Sequence, residues 1–358
     1  MELSPFTHRF LPITARLHAR LLGRSTIRDC ASEIIELAPA VDRVQPAAIA
    51  LPGEFDRVLG FQEDTTQAME RERLGEGSRR HASTVAYRID GALLAKGTLY
   101  FGGGYEVIKK ASKRLILTGH RDLFAEMQLC SNYVIERYFG HWANDGLILE
   151  LLAAQRSAPG LKLAGTPWMH EPGYRELCGL AVTRSDHAWV DRLWVIDDRG
   201  MNDSWISRIE ELRRRVRSTT VPSGPKRVML TRGKLGVKRN LTNYSAVEEA
   251  LTGLGFVVVH PELETVRGLV DKLSGAEIAI AVEGSHQDHC WLAMSPQSTF
   301  VVIQPPTRFN TYGKMRADAI KINWAYVVAD PHPEGFCLPI ERLLRTIDEV
   351  VRATSAQS

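Results

Sequence analysis

Two groups of residues have the types and spacing to do chemistry. The first is the run from Thr231 to Asn240, which holds Arg232, Lys234, Lys238 and Arg239 with two glycines, just ahead of a helix starting near Asn243. Backbone N–H groups at such a helix end favour an anion, and fixed cations add to the attraction. Two further runs follow apolar segments: Glu283-Gly284-Ser285-His286-Gln287-Asp288-His289, and Gln304 to Asn310 with Arg308 inside it. Cations gathered at one sheet edge suit a diphosphate, whose charge grows when it departs as a leaving group. An ordinary exposed basic loop has the same composition. The second group is His141 and Asp145, four residues apart and so on one face of a helix. The aspartate can orient the histidine, or either can act as a general base. A helix-stabilising pair or a structurally bonded histidine fits the same spacing.

These residues need elements to position them. From Arg227 onward, short apolar strands (227–231, 256–259, 278–282, 299–303) alternate with helices (245–254, 264–273, 286–293), the pattern of a parallel sheet wrapped by helices. Ligands of such sheets sit beyond the carboxyl ends of the strands. No GxGxxG follows a strand, so the dinucleotide fingerprint is missing. Ser218–Pro225 reads as a linker. Before it, residues 45–115 read as β-rich, with a hairpin turning at Asp90-Gly91. Gly102-Gly103-Gly104 lacks the Lys-Ser/Thr of a phosphate loop and reads as a turn. Residues 130–156 read as helix, 191–196 as strand, and 203–217 as a helix capped by Asp203 or Ser204. Its Arg213, Arg214, Arg215 and Arg217 read as a solvated or acid-paired face. The expected organisation is α/β: an N-terminal domain (1–217), a linker (218–225), a Rossmann-like domain (226–335), and a C-terminal helix (336–358) packing back on the first domain.

Composition sets the class. The chain has 358 residues, 44% hydrophobic and 24% charged, with a net charge of +3. Those fractions fit a globular protein, and the weak charge excess argues against a dedicated nucleic-acid binder. Its five cysteines stand singly, which argues against a disulfide framework or a zinc site. No apolar run is long enough to span a bilayer, and the first residues lack the apolar core of a signal peptide, so a cytoplasmic location is expected. Residues 9–28 contain Arg9, Arg16, Arg20, Arg24 and Arg28 among leucines and isoleucine, with no acid. That pattern fits a helix lying peripherally on the inner face of the membrane, or a surface helix packed on its own domain and shortened by Pro12.

The run Tyr138-Phe139-Gly140-His141-Trp142-Ala143-Asn144-Asp145 through Leu152 resembles a helix of glycosyltransferase family 61. Met229 to Arg232, Lys238 to Asn243, Val247-Glu248 and Gly255 to Glu262 resemble that family's central block, and Ile278 to Pro306 its ending. Val282-Glu283-Gly284-Ser285, His289, Gln304-Pro305-Pro306 and Arg308-Phe309-Asn310 are similar to a bacterial branch linked to surface polysaccharides. The resemblance covers residues 130–350. It departs at Gly284 to His289, where many members carry His-Gly-Ala. It implies a GT-B architecture, two Rossmann-like domains facing a cleft. It further implies an inverting transfer from a nucleotide sugar, UDP-linked by expectation, to a glycan or lipid-linked acceptor, with no metal and no other cofactor. Arg232, Lys238 and Arg239 would hold the diphosphate, with Asn243, Gly284, Ser285 and His289 lining its site. Glu283 would accept sugar or ribose hydroxyls, and Asp145, His141 or Glu283 would serve as base. A nucleotide-binding partner without transfer activity is the alternative.

Overall fold

The computed structural model describes residues 5–110, 121–218, 224–233 and 239–355, with side chains from residue 10 onward. It is mixed α/β with several sheets. Contacts divide the chain into two units: the residues through Val41 with His81–Arg208, and Asp42–Arg80 with the residues from Ile209. The second unit therefore includes residues 42–80 from the N-terminal half. The division falls inside the helix Asp203–Arg217. Residues 219–223, most of the expected linker, lie outside the described residues.

The first unit is built on an eight-stranded sheet. Its strands begin at Gly104, Thr98, Thr84, His187, Asp122, Gly160 and Thr183 in spatial order, with Glu33–Ala38 also paired to Thr84–Ala95. The hairpin that Asp90-Gly91 predicts does not form. Thr84–Ala95 continues straight through it, because His187–Asp197 pairs with the strand from Val85 to Ala95. A long ladder outweighs a local turn preference. The chain turns instead at Lys96-Gly97, where both residues have positive φ, the requirement of a type I′ hairpin. Gly102-Gly103 does form a turn, between Thr98–Phe101 and Gly104–Val107. The half of the sheet from Gly104 to His187 pairs antiparallel and the half from His187 to Thr183 parallel. One sheet face buries Ile89, Leu94, Met127, Leu161 and Leu193. Leu93, Tyr100 and Trp189 form a separate cluster with Ala15 of the helix Pro5–Leu21, a helix that Pro12 does not interrupt.

The second unit follows the alternation in the sequence. Arg227–Leu230, Val257–Val259, Ile278–Val282, Thr299–Gln304 and Asn323–Val328 form one sheet, every pair parallel. Counted along the chain, the spatial order is second, first, third, fourth, fifth. The winding reverses between the first and third strands, which makes their carboxyl ends the switch point where ligands bind in such sheets. The fifth strand and the helix Tyr312–Ala319 before it extend the pattern beyond the elements legible in sequence. Leu343, Ile347 and Val350 of the C-terminal helix Ile340–Ser355 join this unit's core beside Val247 and Leu251.

Residues 46–76 carry no named strand, so the expected β-rich segment starts only at Gly77. They form a strap along the fifth strand and the loop after the fourth. Ile49 bridges Ala325, and Phe61 bridges Phe309. Two buried carboxylates fasten the strap: Glu54 accepts from the Val328 N–H at 2.6 Å, and Glu70 accepts from the Thr311 hydroxyl at 2.6 Å. Buried acids hold position because each unmet hydrogen bond there would cost about 1–3 kcal/mol. Gly60 is required at its point of contact, since a Cβ there would sit 2.8 Å from the Thr307 carbonyl oxygen.

Candidate functional site

The switch point of the second unit brings together Arg232, Arg239 and Glu283, three of the residues that the sequence singles out. The first strand ends at Leu230, so Thr231 and Arg232 leave its carboxyl end, and the third strand ends at Val282, which delivers Glu283. The Arg232 guanidinium reaches across and donates from Nη1 to the Glu283 carbonyl oxygen at 2.8 Å. Arg239 donates from Nε to Glu283 Oε2 at 2.8 Å, and Arg308 donates to the same oxygen at 3.1 Å. Asn310 donates to Oε1 at 3.1 Å. Arg232 and Arg239 thus converge on one residue. Arg308 and Asn310 complete the group from the loop after the fourth strand. The sequence marks that loop as chemically rich and Arg308-Phe309-Asn310 as part of the family resemblance, but it assigns neither side chain a place in the site.

Glu283 is buried. Burial alone would push its carboxyl up, but Arg239 and Arg308 outweigh it and hold the group below its ordinary value. A carboxylate so held is a weak base. Its geometry organises the arginines. Arg232 is pulled below its usual value by burial, with Arg239 and Arg308 adding repulsion that Glu283 partly offsets. Three guanidiniums thus converge on Glu283, and a cluster of guanidiniums is the kind of group that binds phosphate through charge-assisted hydrogen bonds.

The backbone permits this approach only at Gly284. Its φ is +149°, and a Cβ there would lie 1.5 Å from Arg232 Nη1. Ser285 opens the short 3₁₀ turn Ser285–Gln287, and the helix Asp288–Ala293 follows. His286 adds no charge: burial first, then Arg232, push its imidazole down to about 3. Its Nε2 is shut off from solvent and has no hydrogen-bond partner among the described residues. His289 is buried in the helix. Asn243 engages both faces of its amide with Leu338, donating to the carbonyl at 2.7 Å and accepting from the N–H at 3.0 Å. The structure thus gives Asn243 a fastening task at the helix start. Lys238 lies outside the described residues.

In the first unit, His141 Nδ1 and Asp145 Oδ2 are 2.6 Å apart, and both side chains are about one-third exposed. The helical run that carries them is not uniform. It is α-helical at Phe139–His141, π-helical at Trp142–Gly146, and α-helical again at Leu147–Gln155. A one-turn π segment widens the coil and is frequent at functional sites. Trp142, Ile148 and Leu151 anchor the run in the core. Within it, Glu150 accepts from Arg175 at 2.6 Å, and Arg175 and Lys162 both lie over the Trp142 ring.

Other charged groups are engaged elsewhere. Asp198 binds Arg208 through both carboxylate oxygens and accepts from Thr84, while Asp197 binds Arg199. On the helix Asp203–Arg217, Arg214 and Arg215 pair with Glu211, as an acid-paired face requires. Arg213 differs, because it is buried and donates to the carbonyls of Trp291 and Met294 at a helix end. The cap of its helix is Asn202, whose Oδ1 accepts from the Trp205 N–H, rather than Asp203 or Ser204. Among the described residues Cys130, Cys178 and Cys290 are buried free thiols, and Cys30 and Cys337 are half-buried ones. No described helix is long and apolar enough to cross a membrane.

Comparison with known proteins bears on this geometry. Residues 139–302 match the model of a family described as Glycosyltransferase 61. The matched span starts in the helical run of His141 and Asp145 and ends in the fourth strand of the second unit. No curated protein matches the chain.

Proposed function

The chain is a glycosyltransferase, as its Glycosyltransferase 61 match supports, and from that premise we propose that its donor is a nucleotide sugar whose diphosphate is held by Arg232, Arg239 and Arg308. The observation carrying this reading is the convergence of three guanidiniums on Glu283 at the switch point of a doubly wound sheet. Lys238 adds a fourth cation from the same loop in sequence. Gly284 and Ser285 line the site, with His289 behind them. Glu283 positions the cations and offers acceptor oxygens to donor hydroxyls.

The proposed reaction is a single inverting displacement. An acceptor hydroxyl forms a bond to the anomeric carbon while the bond from that carbon to the diphosphate oxygen breaks. The bonding electrons leave with the nucleoside diphosphate, and the arginines stabilise the charge it gathers. The acceptor proton passes to the Asp145–His141 pair. Asp145 is the first choice as base, with His141 sharing its proton through the 2.6 Å contact. A base of this kind contributes roughly a hundred- to ten-thousand-fold in typical enzymes. The doubly wound sheet of the second unit supports the GT-B reading, and the mixed sheet of the first departs from a uniform Rossmann-like one. Resemblance to the bacterial surface-polysaccharide branch supports a UDP-linked donor and a glycan or lipid-linked acceptor, used on the cytoplasmic side. Because arginines supply the positive charge, the reaction needs no metal.

Calorimetry with UDP, followed by transfer assays over a panel of UDP-sugars with excess EDTA, tests the proposal. Binding of UDP and metal-free turnover are expected. Failure of every nucleoside diphosphate to bind, or loss of turnover in EDTA that a divalent ion restores, would overturn the donor site or the metal-free mechanism respectively.

A further inference from the structure

The helix Pro5–Leu21 has apolar residues on two sides. Leu11 and Ala15 pack with Leu93, Tyr100, Tyr105 and Trp189 on the sheet of the first unit. At about 3.6 residues per turn, Phe10, Ile13, Leu17 and Leu21 fall on a different stripe. All four are exposed, as is Leu22 beyond them, from 43% at Ile13 to 77% at Leu22. Scattered exposed leucines need no explanation, but a continuous stripe of large apolar side chains along one helix does.

Charge distinguishes what covers this stripe. Between Glu2 and Asp29 the chain has no acidic residue, and Arg16, Arg20, Arg24 and Arg28 are all exposed. Arg16 and Arg20 flank the stripe. Arg16 is steadied by donating to the Tyr100 hydroxyl at 2.7 Å, and Arg24 lies over the Tyr105 ring. If two copies met through this face, a two-fold contact would bring like charges together with no acid on the helix to pair them. An anionic lipid surface meets both demands, since acyl chains take the leucines and headgroups take the guanidiniums.

We infer that the outer face of the helix Pro5–Leu21 docks the protein on an anionic membrane surface, lying in the interface without crossing it. The inference stands apart from the donor site, which belongs to the other unit.

Sedimentation of the full chain with vesicles tests it. With vesicles of phosphatidylcholine and phosphatidylglycerol in equal parts, the chain co-sediments. With phosphatidylcholine alone it stays largely in the supernatant. Arg20→Gln weakens partitioning roughly fivefold, the effect of one surface charge. The double variant Leu17→Glu, Leu21→Glu weakens it roughly tenfold or more through lost apolar insertion. Unchanged thermal unfolding of both variants is expected, because the replaced side chains are exposed. Three results would overturn the inference: a wild-type chain that ignores the anionic vesicles, a double variant that sediments like wild type, or a wild-type dimer that the double variant splits while neither binds vesicles.

Discussion

Gly284 and Arg232 fit together only because residue 284 has no side chain, since a Cβ there would stand 1.5 Å from Arg232 Nη1. Gly284→Ala must therefore move the guanidinium off the switch point, in a backbone region that already disfavours alanine. Displacing one cation by an ångström or more should lower turnover roughly a hundredfold. UDP affinity, measured by calorimetry, should weaken in parallel. Wild-type affinity in the variant would show that Arg232 does not touch the donor.

Arg239 has two tasks, and a second substitution separates them. Arg239→Ala removes a cation from the donor site and also strips Glu283 of one of its partners. Loss of turnover is expected, together with a stability loss of roughly 1–3 kcal/mol from the buried carboxylate left short of a bond. Adding Glu283→Gln should restore much of the thermal stability by neutralising that carboxylate, and none of the turnover. Recovery of turnover in the double variant would reduce Arg239 to a structural role.

Asp145→Asn keeps the size and the helical backbone but removes the proton acceptor. The turnover number should fall roughly a hundred- to ten-thousand-fold, while UDP affinity stays within error. A fall in UDP affinity with turnover preserved would place Asp145 outside the acid–base chemistry.

Glu150 sets a pH dependence of stability. Burial raises its carboxyl to about 7, against the opposing pull of Arg175 and Lys162. Between the ordinary value of 4.5 and about 7, the folded chain keeps this proton and the unfolded chain has lost it. This group's contribution therefore falls as pH rises through that window and is level above it. Glu150→Gln lacks the titration. Denaturant unfolding at pH 5 and pH 8 should show the wild type losing up to about 3 kcal/mol more than the variant. Equal pH slopes in the two proteins would contradict the assignment.

The first four strands of the second unit's parallel sheet are legible in the sequence because they are apolar on both faces and spaced by helices. Local pattern alone fixes such elements. The pairing of His141 with Asp145 was legible for the same reason, since four residues along a helix bring side chains together whatever the rest of the chain does. The π turn that carries Asp145 was not, because no residue type encodes it. The hairpin expected at Asp90-Gly91 failed because a distant strand, His187–Asp197, supplied a ladder stronger than the local turn. Residues 46–76 hide their role for a related reason. Glu54 and Glu70 look like surface acids until Val328 and Thr311 arrive from the far end of the chain to bond them. The cation cluster divides the same way. Sequence showed that Arg232 and Arg239 lie in one basic loop after a strand. Only the spatial order of the strands placed that loop against Glu283 and brought in Arg308 and Asn310, because hydrogen bonds across a sheet edge depend on neighbours in space and not in sequence.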